Sequence, residues 1–197
     1  MKNTYINLTE QSFEFPQNGF ELKNGFITFH KISLEKLIKK YGTPFRLFYL
    51  PNIAEKIKLA RNLFNQAFKK HKYLGKYQYC YCTKSNHFSH IINATLKENV
   101  NLETSSSFDI DLILNLYKKD RVNKDLIIIC NGYKTLEYLE KIIALYKMGF
   151  KNVIVILDNK SEIERLNNLS KNTNKKIKQN KKSANLGVRS LEAKNKE

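Results

Sequence analysis

The sequence predicts an α/β fold built on a parallel sheet, and three observations carry that prediction. Beyond residue 44 of the 197-residue chain, short apolar or aromatic runs alternate with longer amphipathic ones. Five such pairs follow one another, each about 25–30 residues long, the size of a strand–helix unit. Two of the short runs, LIIIC at 126–130 and VIVIL at 153–157, are continuously apolar, as strands covered on both faces should be. Consecutive strand–helix units force right-handed crossovers and parallel strands. That leaves a doubly wound sheet and a (β/α) barrel as the candidate architectures.

The first 40 residues stand apart from this rhythm. The turn pairs Asn18-Gly19 and Asn24-Gly25 punctuate FELKNGFITFH, which reads as a short β arm followed by a lead-in helix. Gly42-Thr43-Pro44 then introduces the first strand of the repeat, residues 45–50 (FRLFYL). Ile53, Ile57, Ala60, Leu63, Phe64, Ala67 and Phe68 recur at helical spacing over 52–70, with Asn52 as the N-cap. The second unit is a strand at 77–84 (YQYCYCTK) and a helix at 87–98. The third is a weaker strand at 101–105 (NLETS) and a helix at 107–118, opened by the capping-box pair Ser106 and Asp109. The fourth joins 126–130 to a helix at 135–148 that Gly149 ends in the C′ manner. The fifth joins 153–157 to a short helix at 161–169. Residues 170–183 are almost wholly Lys, Asn, Ser and Gln, a solvated loop, and 184–189 (ANLGVR) reads as the start of a sixth strand. The expected division is therefore 1–40, 41–169 and 170–197.

Composition narrows the function classes. Hydrophobic residues at 42% supply a core and exclude wholesale disorder. No apolar run approaches the roughly 18–20 residues of a membrane-spanning helix. The first 25 residues have neither a basic head nor an apolar stretch, so no secretory signal is expected. Three cysteines, an odd number, fit a reducing cytoplasm, and a soluble cytoplasmic protein is the expectation. The net charge of +17 rests on thirty lysines and only five arginines, alongside 23 asparagines. Arginine, with its planar fork, is the residue that nucleic-acid readers favour. The lysine-rich stretch 171–182 has neither arginine nor interleaved aromatics, so a basic nucleic-acid-binding protein is a minor alternative.

The chemistry concentrates in residues 79–86 (YCYCTKSN). Neither GxGxxG nor GxxxxGK[ST] occurs, so the glycine-rich nucleotide loops are absent. Alternation along a strand puts Cys80, Cys82 and Lys84 on one face, with Lys84 at the C-terminal end, where barrel active sites gather. Apolar neighbours around its stem would favour the neutral amine, which can form a Schiff base with a carbonyl cofactor or substrate. Cys80, Cys82, His87 and His90 are all zinc-competent, but C-x-C-x4-H-x2-H is not the spacing of structural zinc sites, and no metal centre is expected.

The order of GTPFRLFYL, YCTKSN, NLETSSSFDIDLI, LIIICNGYK and NVIVILDNKSEI resembles the fold-type III pyridoxal-phosphate decarboxylases. Within them it resembles the biosynthetic arginine decarboxylases, particularly Bacteroidetes-type members, over residues 13–165 or so. The resemblance implies a (β/α)8 barrel that binds pyridoxal 5′-phosphate, of which this chain carries five to six units after a short N-terminal β arm. It implies that Lys84 holds the cofactor as a Schiff base, with Cys80 and Cys82 facing the barrel interior beside it. Glu103, Ser105, Asn131 and Asp158 would lie near the cofactor at the ends of the third, fourth and fifth strands. The implied reaction is decarboxylation of L-arginine to agmatine and CO2, for polyamine and spermidine synthesis, by an enzyme that assembles as a homo-oligomer. Magnesium is associated with the family, but no ligand set for it is visible in the sequence. On the resemblance, the family's ring-stacking histidine, glycine-rich phosphate loop, pyridine-pairing acid and C-terminal β domain are expected to fall outside these 197 residues. The chain is accordingly expected to be the N-terminal portion of such an enzyme, impaired or inactive alone. The alternatives are a non-catalytic pyridoxal-phosphate-binding fragment and one subunit of a split enzyme whose C-terminal half is encoded separately.

Overall fold

The computed structural model of the chain describes residues 19–23 and 25–171, which fall into two units that divide between Phe48 and Tyr49. The sixth strand and nearly all of the lysine-rich loop lie outside the described residues.

In the first unit, β1 (Phe20–Lys23) and β2 (Phe26–Phe29) form an antiparallel hairpin with Lys23 opposite Phe26 and Phe20 opposite Phe29. The Phe20 and Phe29 rings meet across the strands at 4.5 Å, the kind of aromatic pair that stabilises a two-stranded ribbon. A second tight turn, with positive φ at both His30 and Lys31, returns the chain as β3 (Ile32–Ser33). Such paired left-handed residues match the twist of the flanking strands. Ser33 then caps α1 (Leu34–Tyr41), its Oγ accepting from the Lys36 N–H. The β arm and lead-in helix expected from the turn pairs are thus both present.

The run at 45–50 was expected to be a strand, and no strand is assigned there. Aromatic β-propensity describes how side chains fit a pleated surface; it does not supply a ladder partner. The first strand of the parallel sheet is instead β4 (Cys80–Cys82), shorter than the expected 77–84, and β4 pairs only with β5 among the described strands.

The second unit opens with α2 (Pro51–Lys70), one residue earlier than the sequence suggests. Pro51 occupies the first turn, where its missing N–H is not needed, so Leu50 rather than Asn52 is the N-cap. Its only buried residue is Ile57, while Phe64 stacks on Tyr77 at 4.0 Å. The remaining elements are α3 (Ser89–Leu96), β5 (Asn101–Thr104), α4 (Ser107–Lys118), β6 (Ile127–Cys130), α5 (Leu136–Met148), β7 (Asn152–Val155) and α6 (Lys160–Lys171). Thr135 caps α5 by accepting from the Tyr138 N–H, and Gly149 ends it at φ +92, a left-handed conformation that glycine adopts without strain.

The four strands are parallel and run in the order β4-β5-β6-β7. A doubly wound sheet reverses its order at a switch point and sends helices to both faces; this sheet does neither among the described elements. Leu102 and Thr104 of β5, Ile128 and Cys130 of β6 and Val153 of β7 are buried on one face, against Ile110, Ile113 and Leu116 of α4 and Tyr138, Ile142 and Leu145 of α5. Strands in sequential order with helices on one side describe an arc of a (β/α) barrel.

The opposite face carries Glu103, Ile127, Ile129 and Ile154, all only half-buried. The continuously apolar runs therefore do not report burial on both faces as expected. They report one face packed on helices and one that turns toward the inside of the arc. No described helix is long and apolar enough to cross a membrane.

Candidate functional site

The C-terminal ends of the four parallel strands bring together the polar residues that the sheet's apolar body excludes. β4 ends at Cys82 and the chain turns at once into a single 3₁₀ turn, Thr83–Ser85. Thr83 is fully buried and its Oγ1 donates to the Glu103 carbonyl at 2.9 Å, which ties this turn to the end of β5. Ser85 Oγ closes the turn on the Cys82 carbonyl at 2.7 Å. Lys84 lies between these two anchors and is exposed. The strand alternation that was expected to carry through Lys84 stops two residues short of it. Nor is its stem buried among apolar neighbours as expected: Lys84 is exposed.

Next to it, Glu103 projects from the half-buried face of β5. Its Oε1 accepts from Asn131 Nδ2 at 3.1 Å and from the Cys82 thiol at 3.7 Å. Three strand ends thus converge on one carboxylate. Burial, reinforced by the Glu103 charge, pushes the Cys80 thiol up to about 11, so this cysteine is protonated at neutral pH and is not a nucleophile.

Ser105 follows on the same strand end. Its N–H donates to Asp109 Oδ2 at 2.8 Å, and Ser106 Oγ reaches the same oxygen at 3.1 Å. The Ser106–Asp109 capping box is therefore half formed: the acidic member reaches back, but one residue further than the sequence pattern suggests. Ser105 Oγ is buried and has no hydrogen-bond partner among the described residues. An unpaired buried hydroxyl is uncommon and points to a missing acceptor.

Gly132 brings the loops after β5 and β6 into contact. At φ +73 an added Cβ would stand 2.7 Å from the Ser105 carbonyl oxygen, so only glycine fits there. The Asn131 N–H donates to the Thr104 carbonyl at 2.8 Å, extending the ladder to the level of the site.

Asp158 does not join Lys84, Glu103, Ser105 and Asn131. It belongs to a second group, around the fully buried side chains of Lys134 and Glu162. Lys134 Nζ donates to the carbonyls of Gly132 and Ile156, and its ammonium lies 5.7 Å from the Tyr138 ring centre. Glu162 Oε1 accepts from the Lys134 N–H and its Oε2 from the Asp158 N–H, both at 2.9 Å. Desolvation lowers the Lys134 pKa, while the charges of Glu162 and Asp158 and the Cys130 thiol work in the opposite sense. Asn159 Oδ1 in turn accepts from the Glu162 N–H at 3.1 Å, capping α6.

Sequence reasoning missed Lys134 and Glu162. The signal for Glu162 was present: Asn159 followed three residues later by an acid is a helix-start pattern equivalent to Ser106 and Asp109. Nothing in the sequence distinguishes a buried lysine from the thirty in the chain. Among the described residues no group of three or more His, Cys, Asp or Glu side chains could hold a metal ion. The zinc-competent Cys80, Cys82, His87 and His90 are accordingly not assembled: the cysteines lie on β4, while the histidines are exposed at the start of α3.

Comparison with known proteins gives concordant results. A model of the family described as pyridoxal-dependent decarboxylase, pyridoxal binding domain, matches residues 56–195. The chain is similar to the biosynthetic arginine decarboxylase of Prochlorococcus marinus subsp. pastoris, with 26% identity over 145 residues, 69% of this chain and 22% of that protein. It is similar to the enzyme of the same description from Geobacter sp., with 27% identity over 148 residues, 73% of this chain and 22% of the relative. Among solved structures, the biosynthetic arginine decarboxylase of Campylobacter jejuni superposes with a TM-score of 0.63 at 21% identity, over 89% of this chain and 30% of that one. A diaminopimelate decarboxylase from M. jannaschii superposes with a TM-score of 0.59 at 22% identity, over 79% of this chain and 33% of that one. At such identities the superpositions establish the barrel-type fold. The chain spans about a fifth of the length of the curated relatives.

Proposed function

The chain belongs to the pyridoxal-dependent decarboxylase family through its pyridoxal binding domain, and from that premise we propose that Lys84 is the residue that holds pyridoxal 5′-phosphate in an arginine decarboxylase. The observation that carries this reading is the position of Lys84: an exposed residue in a turn that its neighbour Thr83 anchors on the Glu103 carbonyl, Glu103 being the residue whose carboxylate meets Asn131. The residues present fit the cofactor. Lys84 offers an amine to its aldehyde, and the unpartnered Ser105 hydroxyl offers a donor to an anionic or phenolic oxygen. Bound there, the cofactor supplies an electron sink for the pair released when a carboxylate leaves as CO2.

The chain's own residues have separable tasks in this reading. Lys84 supplies the covalent attachment. Glu103, with its orientation fixed by Asn131 Nδ2, presents its carboxylate at the strand ends as a hydrogen-bond acceptor. Ser105 supplies a hydroxyl, and Asn131 keeps the carboxylate from turning away. Asp158, held in the Lys134–Glu162 group, has no direct contact task in this reading.

The names of the curated relatives support arginine as substrate; agmatine as product and a role in polyamine and spermidine synthesis are part of the proposal. Self-association, pairing with a separately encoded half, a magnesium requirement and a cytoplasmic location belong to the same proposal. Three free cysteines support a reducing compartment. Because the chain spans 22% of those relatives, the wall it builds is proposed to work together with the further residues that such enzymes carry.

The test is chemical. The purified protein is mixed with pyridoxal 5′-phosphate, reduced with borohydride, digested and mapped. Label on Lys84, and its loss in K84A, is the expected result; label spread over other lysines, or none, overturns the reading. Covalent loading at Lys84 without release of CO2 from arginine would favour the non-catalytic alternative.

A further inference from the structure

The Lys134–Glu162 group lies outside the residues assigned to the cofactor, yet it is the most completely bonded polar cluster at the strand ends. Two fully buried, oppositely charged side chains in a domain of this size need an explanation, because burying a charge is strongly unfavourable unless its hydrogen bonds are satisfied. Here they are satisfied by backbone. The Lys134 ammonium takes the carbonyls of Gly132 and Ile156, and the Glu162 carboxylate takes the N–H groups of Lys134 and Asp158. Each side chain therefore bonds once to the loop after β6 and once to the segment after β7. Their four bonds stitch residues 132–134 to residues 156–158. Asn131 directly precedes one stitched segment, and Asp158 lies at the end of the other.

We infer that Lys134 and Glu162 are positioning residues, a backbone clamp that holds the loops carrying Asn131 and Asp158 in register and so sets the orientation of Asn131 toward Glu103 without touching the cofactor. This inference rests on the proposed cofactor site for its functional consequence, but not for its structural content. Both side chains are fully buried and hydrogen-bonded to backbone, so neither is presented to a ligand. The ammonium is committed to two carbonyls, and each carboxylate oxygen to an N–H. The clamp acts through geometry. If the loops relax, Asn131 Nδ2 leaves the Glu103 carboxylate, which is then free to rotate beside Lys84. The lysine is suited to this task because a long stem lets one charged head reach carbonyls of two neighbouring loops; a shorter donor would reach only one.

Two measurements test it. The first needs no cofactor: amide hydrogen exchange on the wild-type chain, K134M and E162Q. In both variants the amides of residues 131, 134 and 158 should lose protection at least tenfold relative to Leu102 and Thr104 of β5. A uniform loss across all strands, or no loss, overturns the clamp; E162Q keeps the question answerable if K134M fails to fold. The second is a double-mutant cycle on pyridoxal 5′-phosphate affinity with N131A. If the clamp acts through Asn131, K134M and N131A each weaken binding several-fold and the double variant is no weaker than N131A alone. Additive losses would mean that Lys134 only stabilises the fold, and would overturn the positioning role. Borohydride labelling of the same samples separates the two proposals. Label missing from Lys84 in the wild type sinks the cofactor reading, and the exchange data then decide the clamp by themselves.

Discussion

Two lysines at the strand ends of one sheet have opposite fates. Lys84 follows β4, is exposed, and sits in a turn whose neighbours, not itself, make the anchoring bonds. Lys134 follows β6, is fully buried, and gives its ammonium to two carbonyls. Each occurs in a short motif after an apolar strand, YCTKSN and ICNGYK, and each occupies the end of the sheet where barrel enzymes place their chemistry. Position alone therefore does not identify a reactive amine. What separates them is burial and hydrogen-bond commitment: a buried side chain tied to two backbone carbonyls holds structure, and an exposed one can meet a ligand.

The largest expected effect breaks the clamped side. E162A leaves the Lys134 and Asp158 N–H groups without an acceptor and removes the negative charge facing the buried ammonium. We expect it to destabilise the protein by about 3–5 kcal/mol in urea unfolding. A loss under about 1 kcal/mol would mean that the cluster is not the tight half of the site.

A middle-sized effect concerns pH. Burial pushes the Cys130 thiol, which faces Thr104, Lys134 and Tyr138, up to about 11, whereas an unfolded thiol titrates near about 8.5. The folded state thus holds this proton more tightly than the unfolded chain does. The resulting stabilisation is complete below the unfolded value and disappears as pH rises through about 11. Lys134, with its pKa lowered by desolvation, works in the opposite sense over the alkaline range. Unfolding free energies measured in urea between pH 8 and 11 should fall, by on the order of 3 kcal/mol from the thiol alone, and fall less in C130A. An unchanged slope in C130A would refute the assignment to this thiol.

The smallest effect sharpens the open side. K84A should change unfolding free energy by no more than about 0.5 kcal/mol, the ordinary result for an exposed residue with no partner. A near-silent stability phenotype beside a complete loss of covalent cofactor labelling would place Lys84 and Lys134 at the two ends of one scale.

How much of this was legible in the sequence follows the same division. The helix α4 starts and ends where the periodicity and Ser106 suggest, and α5 is framed by Thr135 and Gly149, because caps and left-handed glycines are local signals that local residues satisfy. The strand cores at 126–130 and 153–157 were legible because apolar runs have few other uses in a chain so rich in lysine. The expected strand at 45–50 and the full length of β4 were not, since strand existence depends on a ladder partner that the segment itself does not encode. At the site, Glu103 and Asn131 were found on resemblance and do meet at 3.1 Å, whereas the Lys134–Glu162 couple depends on contacts 28 residues apart. A buried lysine has no local signature to separate it from its solvated counterparts.

The two carboxylates at the starts of α4 and α6 differ in one respect that bears on motion. Asp109 fastens the N–H of Ser105, four residues before it, so it secures a single strand-to-helix joint. Glu162 does the same for Asp158 with one oxygen and grips the neighbouring joint with the other. In mechanical terms the rim of the arc is graded in stiffness. Glu162 couples the joints after β6 and β7 to each other, whereas Asp109 secures only the joint after β5. An amine that must exchange partners would then have the doubly gripped pair of joints as its fixed reference.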